Sequence, residues 1–249
     1  MKIKKILFSA FVIGFMMVSM TAKAQFQGQV TMKVYGEENG NKNVSEINLY
    51  STSNRIMIKG EDTYSFSDGS FDASGLLIRN DKKDFVVMMG EKEALQFTKE
   101  ELEGLFSMMG MMAGDEDKEV NVNPNTVYTN KTRKIMGFDC TELLVMNEDN
   151  SNTLSIWLTS EIDINWGMLS EPWMNVPDNM KDSASRLTQE FKSKNFPMLV
   201  EVTEDGETNI IMEVTNVNKS SIAKAMVEIP AGVDLVGLQE MIFKMMMGN

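Results

Sequence analysis

Apolar and polar residues alternate with a period of two along most of the chain. Val30, Met32 and Val34 alternate with Thr31, Lys33 and Tyr35, and Ile56 and Ile58 with Arg55, Met57 and Lys59. The spacing recurs at Leu154, Ile156 and Leu158, at Met198, Val200 and Val202, at Ile210, Met212 and Val214, and at Val227 and Ile229. Successive side chains of a strand point to opposite faces, so the pattern predicts strands with one face buried. Phe85 to Met89 is a continuous apolar run, as in a strand covered on both faces. Short polar breaks read as hairpin loops: "GEENGNKN" at 36–43, "SDGS" at 67–70, "NEDNSN" at 147–152 and "EDGE" at 204–207. Loops this short join antiparallel neighbours. The expectation is a meander of about ten to twelve strands.

The period changes in three places, predicting helices near 98–113, 177–192 and 235–247. In the first, Thr98 and Glu101 have the spacing of a capping box. Leu102, Leu105, Phe106, Met109 and Met112 fall on one stripe, and Glu100, Glu101 and Glu103 take the other side. In the second, Pro177 suits an early helical position, and Met180, Ala184, Leu187 and Phe191 form a narrow stripe. In the third, Leu238, Met241, Ile242 and Met245 lie together.

The last turn of the first helix, "FSMMGMM", is apolar nearly all round, because Met108 widens the stripe and Met111 points away from it. A helix lying on a sheet needs one buried face, so this surplus requires a destination. It is core packing, with methionine filling irregular gaps; or the wall of a cavity for an apolar ligand; or a soft-metal site of the kind thioethers offer Cu(I), with Met108, Met109, Met111 and Met112 as ligands. The chain holds 24 methionines, four of them in its first 24 residues.

Those 24 residues have the form of a secretory leader. Lys2, Lys4 and Lys5 precede an apolar stretch from Ile6 to Met20, and Ala22-Lys23-Ala24 matches a small-x-small cleavage site. The expected mature chain starts at Gln25, is periplasmic or secreted, and has no cysteine there to carry a lipid. The apolar stretch is short for a membrane span, and no later segment resembles one. Loss of four lysines would take the net charge from −12 to −16, which disfavours nucleic acid and anionic membranes as partners. The rest reads as a single domain, 25–249.

The chain has no histidine and one cysteine, Cys140. These counts exclude a Ser-His-Asp triad, a His-ligated metal and an intramolecular disulfide. Cys140 shares a strand face with Phe138 and reads as core. A carboxylate-only hydrolase stays formally open. Trp157, Trp166 and Trp173 beside "SEPW" suit sugar platforms or anchors of a long loop on the sheet. The run Asp115, Glu116, Asp117 and Glu119 lacks the glycine and spaced oxygens of a calcium loop. Gly137 fits a bulge or tight bend between strands.

The stretches "TRKIMGFDCTELLV" (132–145), "SIWLTSEI" (155–162) and "VEIPAGVDL" (227–235) resemble an uncharacterised domain-of-unknown-function family of secreted bacterial proteins. That family is distantly similar to the periplasmic lipoprotein carriers LolA and LolB. Val233 stands where the family carries an aromatic. The resemblance implies a mainly β fold with inserted helices (α+β), an incomplete antiparallel β-barrel whose concave face is covered by helices. It implies a cavity for a lipid or an acyl chain, with no cofactor. Leu105, Phe106, Met108, Met109 and Met112 would line the helical side, and Phe85, Val87 and Met89 the sheet side. The partners would be a lipid, a lipoprotein acyl chain or an envelope protein. The alternative is a non-catalytic structural or protein-interaction component of the envelope without a ligand. Neither reading makes the chain an enzyme.

Overall fold

The computed structural model describes residues 25–38, 41–66, 71–112, 125–146, 152–174, 176, 185 and 188–247. The proposed leader, the acidic run after Gly114, and the loops "SDGS" and "NEDNSN", apart from Asn152, lie outside the described residues, as does most of the predicted second helix.

Twelve strands form one open sheet. They are β1 (Gly28–Glu38), β2 (Asn41–Ser51), β3 (Arg55–Phe66), β4 (Phe71–Arg79), β5 (Asp84–Met89) and β6 (Glu93–Thr98), then β7 (Asn125–Ile135), β8 (Phe138–Met146), β9 (Thr153–Thr159), β10 (Phe196–Glu204), β11 (Glu207–Asn218) and β12 (Asp234–Gly237). Their order is β12-β6-β5-β4-β3-β2-β1-β11-β10-β9-β8-β7. Two antiparallel meanders, β1 to β6 and β7 to β11, therefore meet where β1 pairs with β11. The expected strand number and antiparallel pairing are found, and the sheet does not close into a barrel. Among the described strands only β12 runs parallel to its neighbour, β6.

Two of the turns follow directly from sequence. Met136 and Gly137 join β7 to β8 with φ of 51° and 88°, and Asp205 and Gly206 join β10 to β11 with 51° and 83°. Consecutive left-handed residues match the twist of a two-residue hairpin.

Helices α1 (Lys99–Met112) and α2 (Leu238–Met247) accompany the sheet among the described residues. The α1 capping box is formed: Glu101 N–H donates to Thr98 Oγ1 (3.1 Å) and Thr98 N–H to Glu101 Oε2 (2.8 Å). The tail helix begins three residues later than the apolar stripe suggested, because 235–237 belong to β12. Residues 188–192 form part of the second predicted helix.

Both faces of the β3–β6 region are buried, as the continuous run in β5 implied. On one face, called inner here, Val30, Leu49, Ile56, Ile78 and Phe85 belong to the larger core cluster. On the other, Met57, Leu77, Val86, Met88 and Ala94 pack beneath Val227, Ile222, Ile229 and Val233. Cys140 is buried in the larger cluster, as its pattern suggested.

Candidate functional site

The inner face can be followed strand by strand. One cross-strand row is Phe97, Phe85, Ile78 and Ile56. The next is Leu95, Val87, Leu76, Ile58, Leu49, Val30 and Val217. Farther along the strands comes Val34, Met212, Val200, Ile156 and Leu143. Register places each set on one face because pleat direction repeats every second residue.

The first row is covered by a chain segment rather than by a helix. Residues 162–174, here the strap, leave β9 and travel along one end of the sheet. Asp163 C=O accepts from Phe26 N–H (2.7 Å), just before β1. Asn165 Nδ2 donates to Ser53 C=O (2.8 Å) in the β2–β3 turn. Asn80, in the β4–β5 turn, donates to Asn165 C=O (3.0 Å) and accepts from Met168 N–H (3.4 Å). Lys99, at the start of α1, donates to Pro172 C=O (2.7 Å), and Glu103 accepts from Met174 N–H (2.9 Å). The strap thus stitches the hairpin ends of the first meander in their order across the sheet.

Its tryptophans close the core. Trp173 stacks on Phe85 at 6.3 Å between ring centroids, Phe85 on Phe97 at 5.5 Å, and Lys99 Nζ sits 5.1 Å from the Trp173 centroid. Trp166 lies 4.5 Å from Phe191 of the 188–192 segment and 6.4 Å from Phe196. Two strap atoms, Asp163 Oδ1 and Trp166 Nε1, are buried with no hydrogen-bond partner among the described residues. None of the three tryptophans is an exposed platform: Trp157 and Trp166 are buried and Trp173 is half-buried. Loop anchoring, one of the two readings of these residues, describes Trp166 and Trp173.

The residues named from sequence are distributed as follows. Phe85 is buried beneath Trp173, so its ring is occupied by the protein's own core. Val87 and Met89 are half-buried on the same face, farther from the strap. Leu105 and Phe106 are half-buried on α1, and Met108 is exposed. Met109 and Met112 lie on α1 by backbone, but their side chains fall outside the description. Among the described side chains, those that pack on the inner core from outside the sheet come from the strap and Phe191, and Leu102, Leu105 and Phe106 of α1 are not among them. Periodicity did not reveal the strap, because it has none; its signals were the clustered tryptophans and the Asn165-Trp166-Gly167 turn.

On β3 to β5 burial of the inner face falls with distance from the strap: Phe85, Ile78 and Ile56 are buried, and Val87, Leu76 and Ile58, one pair step away, are half-buried, as is Met89 beyond them. Elsewhere the face is mixed: Leu49, Val30 and Leu143 are buried, and Ile47, Met32, Val34, Met212, Val200 and Ile156 are half-buried. On the other face of β8 to β10, Trp157 pairs across the strands with Leu199 and Glu142. There the buried Glu142 accepts from Ser155 Oγ (2.7 Å), Thr129 Oγ1 (2.7 Å) and Lys131 Nζ (3.1 Å). Burial pushes its carboxyl up, but the three hydrogen bonds and the Lys131 charge outweigh this and hold it below its ordinary range. Burial raises the Cys140 thiol. No group of three or more His, Cys, Asp or Glu among the described residues is placed to hold a metal. No helix among them is long and apolar enough to cross a membrane. A recess of about 260 Å³ lies between Gln25, Phe26, Glu161 and Lys219, and shares no residue with the inner rows.

A family model described as a domain of unknown function (DUF4412) matches residues 26–233. No curated protein matches the chain. Among solved structures, PNGF-II in a C2 crystal form is 12% identical, covering 89% of this chain and 33% of that one, with a TM-score of 0.42. This chain therefore spans about a third of the length of that structure. The MucA/MucB complex of Pseudomonas aeruginosa is 14% identical over 86% of this chain and 59% of the matched one, with a TM-score of 0.38. A LolA superfamily protein from Nitrosomonas europaea is 7% identical over 75% and 68%, with a TM-score of 0.22.

Proposed function

The chain belongs to the DUF4412 family, and from the geometry of its inner face we propose that it is an exported, non-catalytic protein that binds the apolar chain of a lipid or acylated partner. The observation that carries this reading is the burial gradient. The strap plugs one end of the inner face, while beyond it on β3 to β5 the apolar Val87, Met89, Leu76 and Ile58 remain half-buried. Such a surface is closed at one end, lined by flexible and branched aliphatic side chains, and suited to an extended hydrocarbon. Val87, Met89, Leu76 and Ile58 form the sheet side. Leu105, Phe106 and Met108 of α1, with Met109 and Met112 by position, form the flank beside the strap. Phe85 is the floor rather than a contact. Export rests on the leader pattern of the first 24 residues.

Native mass spectrometry of the protein isolated from an envelope extract without detergent, followed by lipid extraction, tests the reading. The expected result is an adduct of discrete mass, together with uptake of a fluorescent fatty acid that Met108→Asp weakens while the sheet signal in circular dichroism is kept. Absence of an adduct, with no uptake by the folded protein, removes it.

A second reading, docking of a protein partner in the envelope, is favoured by α2. Its Phe243 and Met247 are more than three-fifths exposed, at 62% and 63%. Partner capture abolished by Phe243→Asp but untouched by Met108→Asp would select it.

A further inference from the structure

Two sets of the described methionines stand at the extremes of exposure, and apart from Met108 neither enters the ligand reading. Met57 and Met198 are fully buried. Met108, Met136, Met174 and Met247 lie apart on the surface, between 44% and 65% exposed. Two of the surface positions are costly or exposed choices for an apolar side chain. Met136 holds a left-handed φ of 51° at the tip of the β7–β8 hairpin, where a non-glycine residue costs about 1–2 kcal/mol and Asn or Gly is the ordinary occupant. Met174 follows Trp173 in the strap, and its backbone N–H is fixed by Glu103 while its side chain faces solvent. Competing soft nucleophiles are suppressed. There is no histidine, and the one thiol, Cys140, is buried with its ionisation disfavoured.

We propose that Met108, Met136, Met174 and Met247 form an oxidant-accepting surface, modified by peroxides while the core stays reduced. The thioether sulfur attacks one peroxide oxygen and the O–O bond breaks. The sulfur gains an oxygen as sulfoxide and loses two electrons. The other peroxide oxygen leaves as water, or as an alcohol from an alkyl peroxide, taking up the proton of the transferred oxygen. At an exposed position the new S=O dipole is hydrated and leaves the sheet undisturbed, whereas in the core it would disrupt packing.

The test is a hydrogen peroxide time course on the folded protein, read by peptide mass mapping and circular dichroism, with N-acetylmethionine amide as the reference thioether. The four surface sites are expected to gain one oxygen each at rates within about threefold of the reference, Met57 and Met198 to remain unmodified, and a methionine sulfoxide reductase to reverse the change. Met136→Asn with Met174→Leu should keep the fold and lose those two modifications. Oxidation of Met57 and Met198 in step with the surface set overturns the proposal. So does loss of the sheet signal as the surface set reacts, or surface rates about tenfold or more below the reference.

Discussion

Trp173 and Lys99 hold one another in place: the Lys99 ammonium sits 5.1 Å from the indole centroid while donating to the carbonyl of Pro172, the residue before that tryptophan. The indole's stacking partner is Phe85, so this contact fixes the free end of the strap to the sheet and to α1 at once. Trp173→Ala should cost about 2–3 kcal/mol, at or below the lower edge of the range of about 3–5 kcal/mol for buried aromatic deletions, because the ring is half-buried. Urea unfolding followed by circular dichroism measures it. A change below about 0.5 kcal/mol would mean that the strap end contributes nothing to the fold.

Two glycines give a contrast of opposite sign. Gly167 has φ of 49°, and a Cβ there would overlap the Asn80 carboxamide that ties the strap to the β4–β5 turn. Gly167→Ala should destabilise by about 2 kcal/mol or more. Gly104 lies on α1 with open space around its Cα, and Gly104→Ala should stabilise by about 0.5–1 kcal/mol through helix propensity. Thermal melts of the two variants should move in opposite directions.

Arg79 and Asp84 form a buried pair at the β4–β5 turn, with Nε–Oδ1 at 2.6 Å and Nη2–Oδ2 at 2.5 Å, and Gln96 donates to the same carboxylate. Arg79→Met leaves an uncompensated buried carboxylate and should cost about 3–5 kcal/mol. Arg79→Met with Asp84→Leu should recover most of that loss, because desolvation of both charges disappears together. A double-mutant cycle from denaturant midpoints reads the difference.

Glu142 sets an acid limb in the stability profile. Its carboxyl titrates lower in the fold than in the unfolded chain. It therefore stabilises the fold above its unfolded value of about 4.3, and that contribution is lost as pH falls through the lower folded value. Glu142→Gln should flatten the fall in stability below pH of about 4.5 relative to the parent. An unchanged slope in pH-dependent unfolding would show that Glu142 does not titrate differently in the two states.

These pairs also show what a reader of the sequence can and cannot obtain. Thr98 and Glu101 announced α1, Gly137 a bulge or tight bend between strands, and Asp205-Gly206 a hairpin, because each signal is local and completed within four residues. The uninterrupted apolar run in β5 foretold cover on both faces. Trp166 and Trp173 signalled a loop anchored on the sheet, but its course was not legible, since its partners are Phe26, Ser53, Asn80 and Lys99, spread over the first meander and linked largely by backbone groups that carry no sequence signature. Leu235 and Val236 read as the start of a helix because a four-residue parallel strand is too short to show alternation. Phe85 looked like a ligand contact for the same reason: periodicity reports which face a side chain takes, not what already lies on it.

The junction of β1 with β11 has a consequence for how the molecule is made. Each meander is assembled from neighbours in sequence, but the joint between them unites the first strand with the next to last. A chain emerging amino end first from a ribosome can form hairpins early, yet it cannot seal its sheet until β11 has emerged. Long-range closure of this kind is slow. The same connectivity that gives the finished protein its central seam makes that seam one of the last features of the sheet to form.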